Sequence, residues 1–408
     1  MSEGHALHRE PIRLLTFSTL YPSAARPGHG IFVETRLREL VASGVVASRV
    51  VAPVPWFFST DQRFGEYARM ARTRLRESRN GLDVQHPRYF LPPRVGMNMA
   101  PFTLAMGAKP AIQRLLDEGF DFDVIDAHYY YPDGVAAALL ARYFNKPFTV
   151  TARGSDINLI ARHSIPDKLM RWAAGRAAAS IGVSQALTDA MGKMGMPASR
   201  LLMMPNGVDL KRFHIQPQAA ARAVMGWPAG PMLLSVGNLV ENKGHHVAIE
   251  ALARLPGFRL VIAGEGPERE ALVALASRIH VASRLQFLGQ VDQDRLASCY
   301  SAADMLVLAS SREGWPNVLL ESMACGTPVV ATRVGGIPEI VTSFTAGRLM
   351  PERTADDMVM GIEDLWRHLP DRAAVRACAQ ARSWQSTTDA QLGLFRRIAT
   401  LAVERAHA

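Results

Sequence analysis

The feature that most constrains this chain is a regular alternation of short apolar runs and amphipathic stretches over residues 232–332. Each apolar run has the length of a strand, and each intervening stretch has the apolar period of a helix packed on one face. Strands that alternate with helices form a parallel sheet covered on both faces, the doubly wound α/β fold. The predicted strands are 232–236, 259–263, 285–288, 305–309 and 328–332, and the predicted helices are 246–255, 268–279, 293–303 and 317–325.

The first half of the chain shows the same pattern at longer intervals. A chain of 408 residues is too long for one ordinary core, and the turn-forming cluster Pro205-Asn206-Gly207 separates the two series. We therefore predict two domains, residues 1–205 and 206–384, each with a Rossmann-like sheet. The predicted strands of the first domain are 12–17, 49–52, 123–128, 148–152, 180–183 and 201–204.

The bulk composition disfavours several classes of protein. Residues 1–10 are polar and lack the apolar centre of a secretory signal. No apolar run approaches the roughly 18 residues of a membrane span. The three cysteines, Cys299, Cys325 and Cys378, are not spaced for a disulfide framework or a zinc site. We therefore expect a cytoplasmic protein with reduced thiols.

The net charge of +9 lies almost entirely in residues 1–205, which hold 25 basic and 17 acidic residues against 21 and 20 in the remainder. Six arginines fall within residues 63–79, and an apolar stretch rich in methionine and proline follows at 95–106. This pattern favours a solvated basic helix followed by a core helix. The alternative is a surface for an anionic membrane or an amphiphilic acceptor. Nucleic-acid binding is disfavoured because the arginines are not interleaved with stacking aromatics.

Residues 310–321 are the most informative for chemistry, because they follow a predicted buried strand and open a helix. Ligands of open α/β sheets gather at the carboxyl ends of strands, where the first amides of a helix can bind anions. Pro316 is predicted to be the first helical residue. The free amides of Asn317, Val318 and Leu319 are then expected to hold a diphosphate.

Two carboxylates flank these amides. Glu321 lies one turn into the predicted helix, on the face of Asn317, where its carboxylate can bind two vicinal hydroxyls. Glu313 lies in the preceding loop, closer to where a sugar would be. Paired carboxylates also occur in glycoside hydrolases, but a hydrolase does not need a diphosphate site.

A second segment, residues 235–244, also follows a predicted strand. Its glycines allow close approach of the backbone, and Lys243 offers a positive charge to phosphate oxygens. A third segment, residues 264–267, begins like a dinucleotide fingerprint, but Arg269 stands where the third glycine belongs. We therefore expect a phosphate site at Lys243 and no coenzyme site.

Glu313 and Glu321 bracket the sequence Gly-Trp-Pro-Asn-Val-Leu-Leu, and this arrangement resembles the hallmark of glycosyltransferase family 4. Other stretches resemble the same family in the same order, so that the resemblance covers nearly the whole chain. These stretches are 27–33, 127–128, 205–209, 243–244, 264–267 and 335–339.

The resemblance implies the GT-B fold, in which two Rossmann-like domains face each other across a cleft. It implies a C-terminal helix, at about residues 385–408, that crosses back and completes the first domain. It also implies retention at the anomeric carbon, no required metal and no cofactor, because the nucleotide-sugar is itself the substrate.

Carried over to matching positions, the resemblance also implies residue roles. Glu321 would hold the ribose, Glu313 the hydroxyls of the transferred sugar, and Lys243 the diphosphate. Val291 would meet the base, and Gly30 would lie near the phosphates or the acceptor. The implied donor-binding residues are Gly30, Asn238, Lys243, Val291, Glu313, Asn317, Val318, Leu319 and Glu321.

Two positions depart from the family pattern. Asn238 stands where the family often has arginine, so Lys243 would carry more of the phosphate charge. Arg153 stands where the family often has histidine, and because it cannot act as a base we expect it to stabilise a phosphate or the sugar. His128 has two interpretations: a histidine satisfied inside the fold, or a member of a catalytic group with Glu313, Lys243 and Arg153.

The sequence thus predicts a retaining, metal-independent glycosyltransferase that uses a nucleotide-sugar donor, with UDP favoured over GDP. The predicted acceptor is a glycan or lipid-linked molecule in surface polysaccharide synthesis, reached from the cytoplasm or from the inner face of the plasma membrane. Two alternatives stay open. One is transfer to a small soluble acceptor such as a sugar phosphate, and the other is a non-catalytic nucleotide-binding scaffold of the same fold.

Overall fold

The computed structural model describes residues 11–92 and 96–407, without the side chains of residues 403 and 405–407. The chain divides into two units, each built on its own sheet. Unit 1 contains the chain up to Val183, the segment Leu187–Met204 and the described residues from Thr387 onward; unit 2 contains Ser184–Ala186 and Pro205–Ser386. Residues 1–10, whose polarity argues against a secretory signal, lie outside the described residues.

Ten strands are described in unit 1. They are β1 (Ile12–Phe17), β2 (Val46–Val51), β3 (Val54–Pro55), β4 (Arg76–Arg79), β5 (Leu82–Gln85), β6 (Arg88–Tyr89), β7 (Val124–His128), β8 (Phe148–Ala152), β9 (Ala179–Gly182) and β10 (Leu201–Met203). Eight of them form one sheet in the order β10-β9-β8-β7-β1-β2-β5-β4, and β3 pairs with β6. Neighbouring strands are parallel, except that β4 runs antiparallel to β5.

Helices connect these strands, as a parallel sheet requires. They are α1 (Ile31–Ala42), α2 (Gly65–Ala71), α3 (Gly96–Asp117), α4 (Val135–Phe144), α5 (Ser155–Asn158), α6 (Ser164–Ala174) and α7 (Gln185–Lys193). Short 3-10 turns occur at Gln62–Phe64, Ile160–Arg162 and Ala198–Arg200, and a π-type turn at Tyr130–Gly134.

Unit 2 has an all-parallel sheet in which six strands are described. They are β11 (Met232–Val236), β12 (Arg259–Ala263), β13 (Leu285–Gly289), β14 (Met305–Leu308), β15 (Val329–Thr332) and β16 (Gly347–Met350), in the spatial order β13-β12-β11-β14-β15-β16. The helices are α8 (Gln218–Met225), α9 (His245–Ala253), α10 (Arg269–Arg278), α11 (Gln293–Ala302), α12 (Asn317–Ala324), α13 (Ile337–Ile340), α14 (Ala355–Arg367) and α15 (Arg372–Gln380), with 3-10 turns at Glu241–Lys243 and Ala282–Arg284. Helices cover both faces, which explains why β11, β14 and β15 are buried at every position.

The last helix, α16 (Trp384–His407), supplies part of the core of unit 1. Its apolar residues Leu392, Phe395 and Ile398 pack in the same buried cluster as Leu14 of β1 and Val124 of β7. Because this cluster closes one face of the sheet, unit 1 needs the C-terminal segment to bury its own apolar surface.

Each sheet has one place where the strand order reverses. In unit 1, β1 lies beside β7, and in unit 2, β11 lies beside β14. In open α/β sheets, ligands bind beyond the carboxyl ends of the two strands at such a switch point. Ligand sites are therefore expected at the loops that follow β1, β7, β11 and β14.

Residues 63–79 do not form the basic helix predicted from their arginines. Only the seven residues of α2 are α-helical, and the chain then forms an antiparallel hairpin of β4 and β5. Asn80 and Gly81 connect these strands with φ angles of 49° and 79°, the positive values that a tight hairpin turn requires. Arg76 donates two hydrogen bonds of 2.8 Å across the hairpin to Asp83, so pairing between strands overrides helix propensity here.

The core helix predicted after these arginines is α3, but only one of its faces is buried. Leu104, Ala108 and Ile112 are inaccessible to solvent, whereas Phe102 is 40% and Met106 74% exposed. Residues 93–95, which include the start of the predicted apolar stretch, lie outside the described residues. Among the helices that the structure describes, none combines the length and apolarity that crossing a membrane would need.

Candidate functional site

An ion pair lies at the switch point of unit 2. Lys243, in the turn after β11, donates from Nζ to Oε1 of Glu313, in the loop after β14, at 2.5 Å. Ser310 Oγ donates to the same carboxylate oxygen at 2.7 Å. The other oxygen of Glu313, Oε2, has no partner among the described residues. The sequence assigned Lys243 to a phosphate and Glu313 to a sugar, and the structure brings the two side chains into contact.

Glycines make this close approach of loops possible. Gly244 has φ 69°, and a Cβ at this position would collide with the carbonyl of Ala309 at the end of β14. Gly335 has φ 53°, and a Cβ there would collide with the carbonyl oxygen of Glu313. Both positions therefore need glycine for its backbone conformation and for its lack of a side chain.

Polar side chains fasten the two loops together. Ser311 donates from its amide to the carbonyl of Asn242 and from Oγ to the Asn242 side chain, both at 2.8 Å. Arg353 donates to the carbonyl of Ala309 at 2.7 Å and to Glu241 through both its side-chain and its backbone oxygen. Arg353 was not predicted from the sequence, because it lies 112 residues from Glu241 and belongs to no recognised motif.

The start of α12 differs in two details from the prediction. Pro316 precedes the first helical residue instead of occupying that position. The amide of Leu319 donates to the Pro316 carbonyl at 3.1 Å, so it is engaged within the turn. The amides of Asn317 and Val318 have no acceptor among the described residues. Two of the three predicted amides are therefore available to an anion.

Glu321 lies on α12 and is partly buried. Its Oε2 accepts a hydrogen bond of 2.9 Å from the hydroxyl of Tyr300 on α11, and its Oε1 has no partner among the described residues. Burial raises the pKa of Glu321 to about 7, although the Tyr300 hydrogen bond and the charge of Arg212 offset part of this effect. Tyr300 was not predicted from the sequence, because a tyrosine inside a helix carries no local signal of such a contact.

Asn238 and Val291 lie at the same edge of the sheet. Asn238, after β11, has an exposed side chain, and its carbonyl accepts from Nε2 of His245 at 3.2 Å. Val291 is half-buried and follows β13, two strands from β11. Because neighbouring strands are about 4.8 Å apart, Val291 lies roughly 10 Å along this edge from the loop of Lys243.

The predicted residues of unit 1 lie after β1, at the end of β7 and after β8. Gly30 caps α1 with φ 69°, and a Cβ there would collide with the backbone of Leu20. Arg153 donates from Nη2 to Nδ1 of His128 at 2.7 Å, and its guanidinium lies 4.9 Å from the ring centre of Phe32 in the first turn of α1. The loops that carry these residues therefore meet at the switch point of this sheet.

His128 has both ring nitrogens engaged, because its Nε2 also lies 3.1 Å from Oδ2 of Asp126. This arrangement matches the interpretation of His128 as a histidine satisfied inside the fold. Asp126 was missed by sequence analysis, since one aspartate within a strand has no distinctive spacing. Among the residues that the structure describes, no three His, Cys, Asp or Glu side chains are grouped so that they could hold a metal ion.

Comparison with known proteins agrees with the fold. A crystal structure of Anabaena Alr3699/HepE in complex with UDP matches this chain with a TM-score of 0.71 and 20% identity, covering 95% of this chain and 100% of that one. Neighbours of this kind have the GT-B fold of glycosyltransferases, and the fold class predicted from the sequence is confirmed.

Two family models match consecutive parts of the chain. The model described as Glycosyltransferase Family 4 matches residues 25–212, and the one described as Glycosyl transferases group 1 matches residues 219–382. Only residues 213–218 lie unmatched between them. The chain belongs to glycosyltransferase family 4, whose members transfer sugars.

Two curated relatives of similar sequence are also glycosyltransferases. TuaC of Bacillus subtilis (strain 168), a glycosyltransferase named for teichuronic acid biosynthesis, is 29% identical over 336 residues, which are 81% of this chain and 83% of that protein. A D-inositol 3-phosphate glycosyltransferase of Mycobacterium bovis (strain BCG / Pasteur 1173P2) is 34% identical over 217 residues, but the match spans only 50% of this chain and 45% of that protein.

Proposed function

We propose that the protein transfers a sugar, with retention and without a metal ion, from a UDP-sugar in preference to a GDP-sugar. The proposed acceptor is a glycan or lipid-linked molecule of surface polysaccharide synthesis. The observation that carries this proposal is the pair of Lys243 and Glu313 at the switch point of unit 2, beside the open amides of α12. The UDP complex of HepE supports the choice of donor, and the name of TuaC supports the kind of acceptor.

Each part of the donor has a group of matching chemistry. The ammonium of Lys243 has three donors, of which Glu313 accepts one, and the others with the amides of Asn317 and Val318 suit a diphosphate. The open Oε2 of Glu313 suits a sugar hydroxyl, and the open Oε1 of Glu321 suits the ribose. Val291 offers an apolar contact to the base.

The proposed transfer needs no protein nucleophile. The bond between the anomeric carbon and the diphosphate breaks, and its electron pair goes to the leaving phosphate oxygen. The acceptor oxygen forms a bond to the same face of that carbon and gives its proton to the leaving phosphate. Glu313 is held by Lys243 and Ser310, so its role is to orient the sugar. The protein contributes mainly position and stabilisation of negative charge.

A thermal-shift series tests the donor. UDP, GDP and several of their sugars are added to the protein in EDTA, since a ligand that binds only the folded state raises Tm. We expect UDP or a UDP-sugar to raise Tm most. Nuclear magnetic resonance of the product should then show the same anomeric configuration as the donor. Dependence of binding on a divalent cation, or an inverted product, would contradict the proposal.

An apolar surface of unit 1 supports attachment to a bilayer. Trp56 donates from its amide to the Tyr89 carbonyl, at the ends of the paired strands β3 and β6. The exposed side chains of Trp56, Phe58, Tyr67, Phe90 and Met106 lie on or beside these strands, α2 and α3, and we call them the apolar surface. Arg63 and Arg69 lie nearby but are paired with acidic neighbours. We therefore expect apolar insertion to contribute more than charge.

Sedimentation with liposomes tests this attachment. Wild type should bind anionic vesicles, and a Phe58→Ser/Met106→Ser variant should bind several-fold less. Val224→Ser, which changes an equally exposed apolar residue in unit 2, should bind like wild type. An Arg69/Arg72/Arg76→Glu variant measures the contribution of charge, which high salt should weaken. Liposome binding that is unchanged in both the Phe58→Ser/Met106→Ser variant and the arginine variant would contradict the proposal.

A small phosphorylated acceptor is the second candidate. This acceptor is favoured by the 34% identity to a D-inositol 3-phosphate glycosyltransferase, an identity that extends over half of this chain. Failure to bind liposomes, together with transfer to a soluble inositol or sugar phosphate, would support this candidate. UDP binding without transfer to either class of acceptor would favour a nucleotide-binding scaffold.

A further inference from the structure

The hydrogen bonds of His128 have only one consistent set of directions. Arginine has no acceptor, so Arg153 Nη2 must donate to His128 Nδ1, and Nδ1 cannot carry a proton. The ring proton of the neutral imidazole is therefore on Nε2, from which it is donated to Oδ2 of Asp126 at 3.1 Å. Both nitrogens of His128 are thus committed inside unit 1.

The electrostatics of the cluster agree with a neutral imidazole. Burial lowers the pKa of His128 to about 4, and the charges of Arg153 and Arg36 act in the same direction, against the attraction of Asp126. Burial alone would raise the pKa of Asp126, but the interaction with His128, the charge of Arg36 and the hydrogen bond from Thr149 keep it below the ordinary value. At neutral pH the cluster therefore consists of an uncharged ring between a carboxylate and a guanidinium.

The members of the cluster are themselves held in place. Thr149 donates to Oδ1 of Asp126 at 2.8 Å, so both carboxylate oxygens are occupied. Arg36 is 1% exposed and donates from Nε to Gln391 of α16 at 2.7 Å. Its terminal nitrogens have no hydrogen-bond partner among the described residues, so its charge acts on Asp126 without a direct hydrogen bond.

Both the side chain and the backbone of Arg153 are held in place. Its side chain donates to His128, and its backbone amide donates to both oxygens of Asp156 at 3.1 and 3.2 Å. Burial, followed by the charge of Arg36, lowers the pKa of Arg153 to about 9, so the guanidinium stays charged at neutral pH. A fixed cation is suited to negative charge that a substrate carries or gathers during transfer.

We infer that His128 is a positioning residue, which with Asp126 holds the guanidinium of Arg153 in the orientation needed to bind negative charge of a substrate at the switch point of unit 1. This inference rests on the proposed function, because it assigns Arg153 to the same transfer step. It also means that His128 does not take the proton of the acceptor, since the lone pair that would accept it is already bound to Arg153.

Two amide variants separate positioning from proton transfer. The side-chain amide of His128→Asn falls near the place of Nδ1, so its oxygen can still accept from Arg153. The amide of His128→Gln falls near the place of Nε2, so it keeps the contact to Asp126 and loses the one to Arg153. We expect kcat of H128N to stay within about tenfold of wild type and kcat of H128Q to fall about 100-fold, as for a misplaced group.

The remaining outcomes each overturn the inference. An equal, large loss in both variants is the result expected of a general base, because neither amide can take a proton. Full activity in both, or loss in H128N alone, would show that the contact to Arg153 is not required. Thermal shift with UDP on each variant reports folding and donor binding, so failure of the whole proposed function would be recognised separately.

A spectroscopic measurement on the wild-type protein is independent of turnover. With nitrogen-15-labelled histidine, the signal absent from H128N identifies the His128 ring. We expect a hydrogen on Nε2, none on Nδ1, and no titration between pH 5.5 and 8. A hydrogen on Nδ1, or a midpoint near the ordinary value of about 6.5, would overturn the inference even if no acceptor is known.

Discussion

The two units use carboxylates at their switch points in opposite ways. In unit 1, Asp126 receives hydrogen bonds on both oxygens from within the unit, and so does Asp133, which binds Ser18 and Thr19. In unit 2, Glu313 and Glu321 each have one oxygen occupied and one without a partner among the described residues. A saturated carboxylate stabilises the fold, whereas a half-satisfied one can accept hydroxyl groups of a ligand. The comparison predicts that changes to the half-satisfied carboxylates of unit 2 reduce binding and transfer, and that loss of a hydrogen bond to a saturated carboxylate of unit 1 reduces stability.

The largest effect should come from Glu313→Gln, which keeps the size of the side chain and removes its charge. We expect kcat to fall about 100- to 1,000-fold, the scale of losing one preorganised group at the reacting centre. Affinity for free UDP should change little, because Glu313 is assigned to the sugar. Initial rates and calorimetry measure the two quantities. Glu270→Gln, at an exposed glutamate of α10, is the control. A loss of UDP affinity in Glu313→Gln as large as its loss of kcat would refute the assignment to the sugar.

Lys243→Ala should weaken UDP binding by about 1.5–3 kcal/mol, the range for hydrogen bonds to charged groups. Calorimetry of UDP against uridine locates the loss, because only UDP carries the diphosphate. Lys211→Ala, at an exposed lysine of unit 2, should bind UDP like wild type. Unchanged affinity in Lys243→Ala would mean that the phosphates bind elsewhere.

Two threonines on β8 test the saturated side of the comparison. Thr149 donates to Asp126, whereas the equally buried Thr151 has a hydroxyl without a partner among the described residues. We expect Thr149→Val to lower the free energy of unfolding by about 1–3 kcal/mol and Thr151→Val to be nearly neutral. Denaturant unfolding measures both. Neither variant should alter UDP affinity; a weaker affinity in Thr149→Val alone would show that Asp126 contributes to donor binding as well as to stability.

UDP affinity should depend on pH through Glu321. Burial raises the pKa of this carboxyl to about 7, and the ionised form is the better acceptor for ribose hydroxyls. A proton therefore competes with the ligand, and Kd should rise about fivefold between pH 7 and pH 6. Glu321→Gln should bind more weakly and lose this dependence, apart from protonation of UDP itself. Tyr300→Phe removes a hydrogen bond that lowers the pKa, so its midpoint should move upward.

The raised pKa of Glu321 should also affect the stability of the protein without ligand. Because the pKa of Glu321 is higher in the folded chain than the ordinary 4.5, folding favours the protonated form. Its contribution to the free energy of unfolding is present below pH 4.5 and is lost as the pH rises through 7. Glu321→Gln should therefore raise Tm relative to wild type at pH 8 and not at pH 4.

The sequence predicted the strands that are buried on both faces. The observed bounds of β1, β8, β11 and β12 equal the predicted ones, because apolar runs of this length have few alternatives in a doubly wound sheet. The edge hairpin of β4 and β5 was missed, because the residues Arg-Glu-Ser-Arg of β4 have no apolar alternation and are held by pairing alone.

The residues of the candidate site likewise fall into those that a local sequence pattern predicts and those that it does not. Lys243, Glu313 and Glu321 stand in local motifs, so the sequence alone could name them. Tyr300 and Arg353 act through residues 21 and 112 positions away, and Arg36 through Gln391, 355 positions away. Such contacts depend on how the sheets bring distant segments together, and no spacing along the chain reports them.

The smallest expected effect comes from restoring a cation at Asn238. The side chain is exposed after β11, and the contact to His245 uses the backbone carbonyl, so Asn238→Arg should not disturb the loop. A solvent-exposed cation near a phosphate contributes about 0.5–1 kcal/mol, which is a two- to fivefold lower Kd for UDP. The gain should shrink at high salt, because exposed charges are screened. Asn238→Gln, which adds length without charge, is the control. If Asn238→Arg tightens uridine as much as UDP, the added group acts on the nucleoside, and the phosphates do not lie beside this loop.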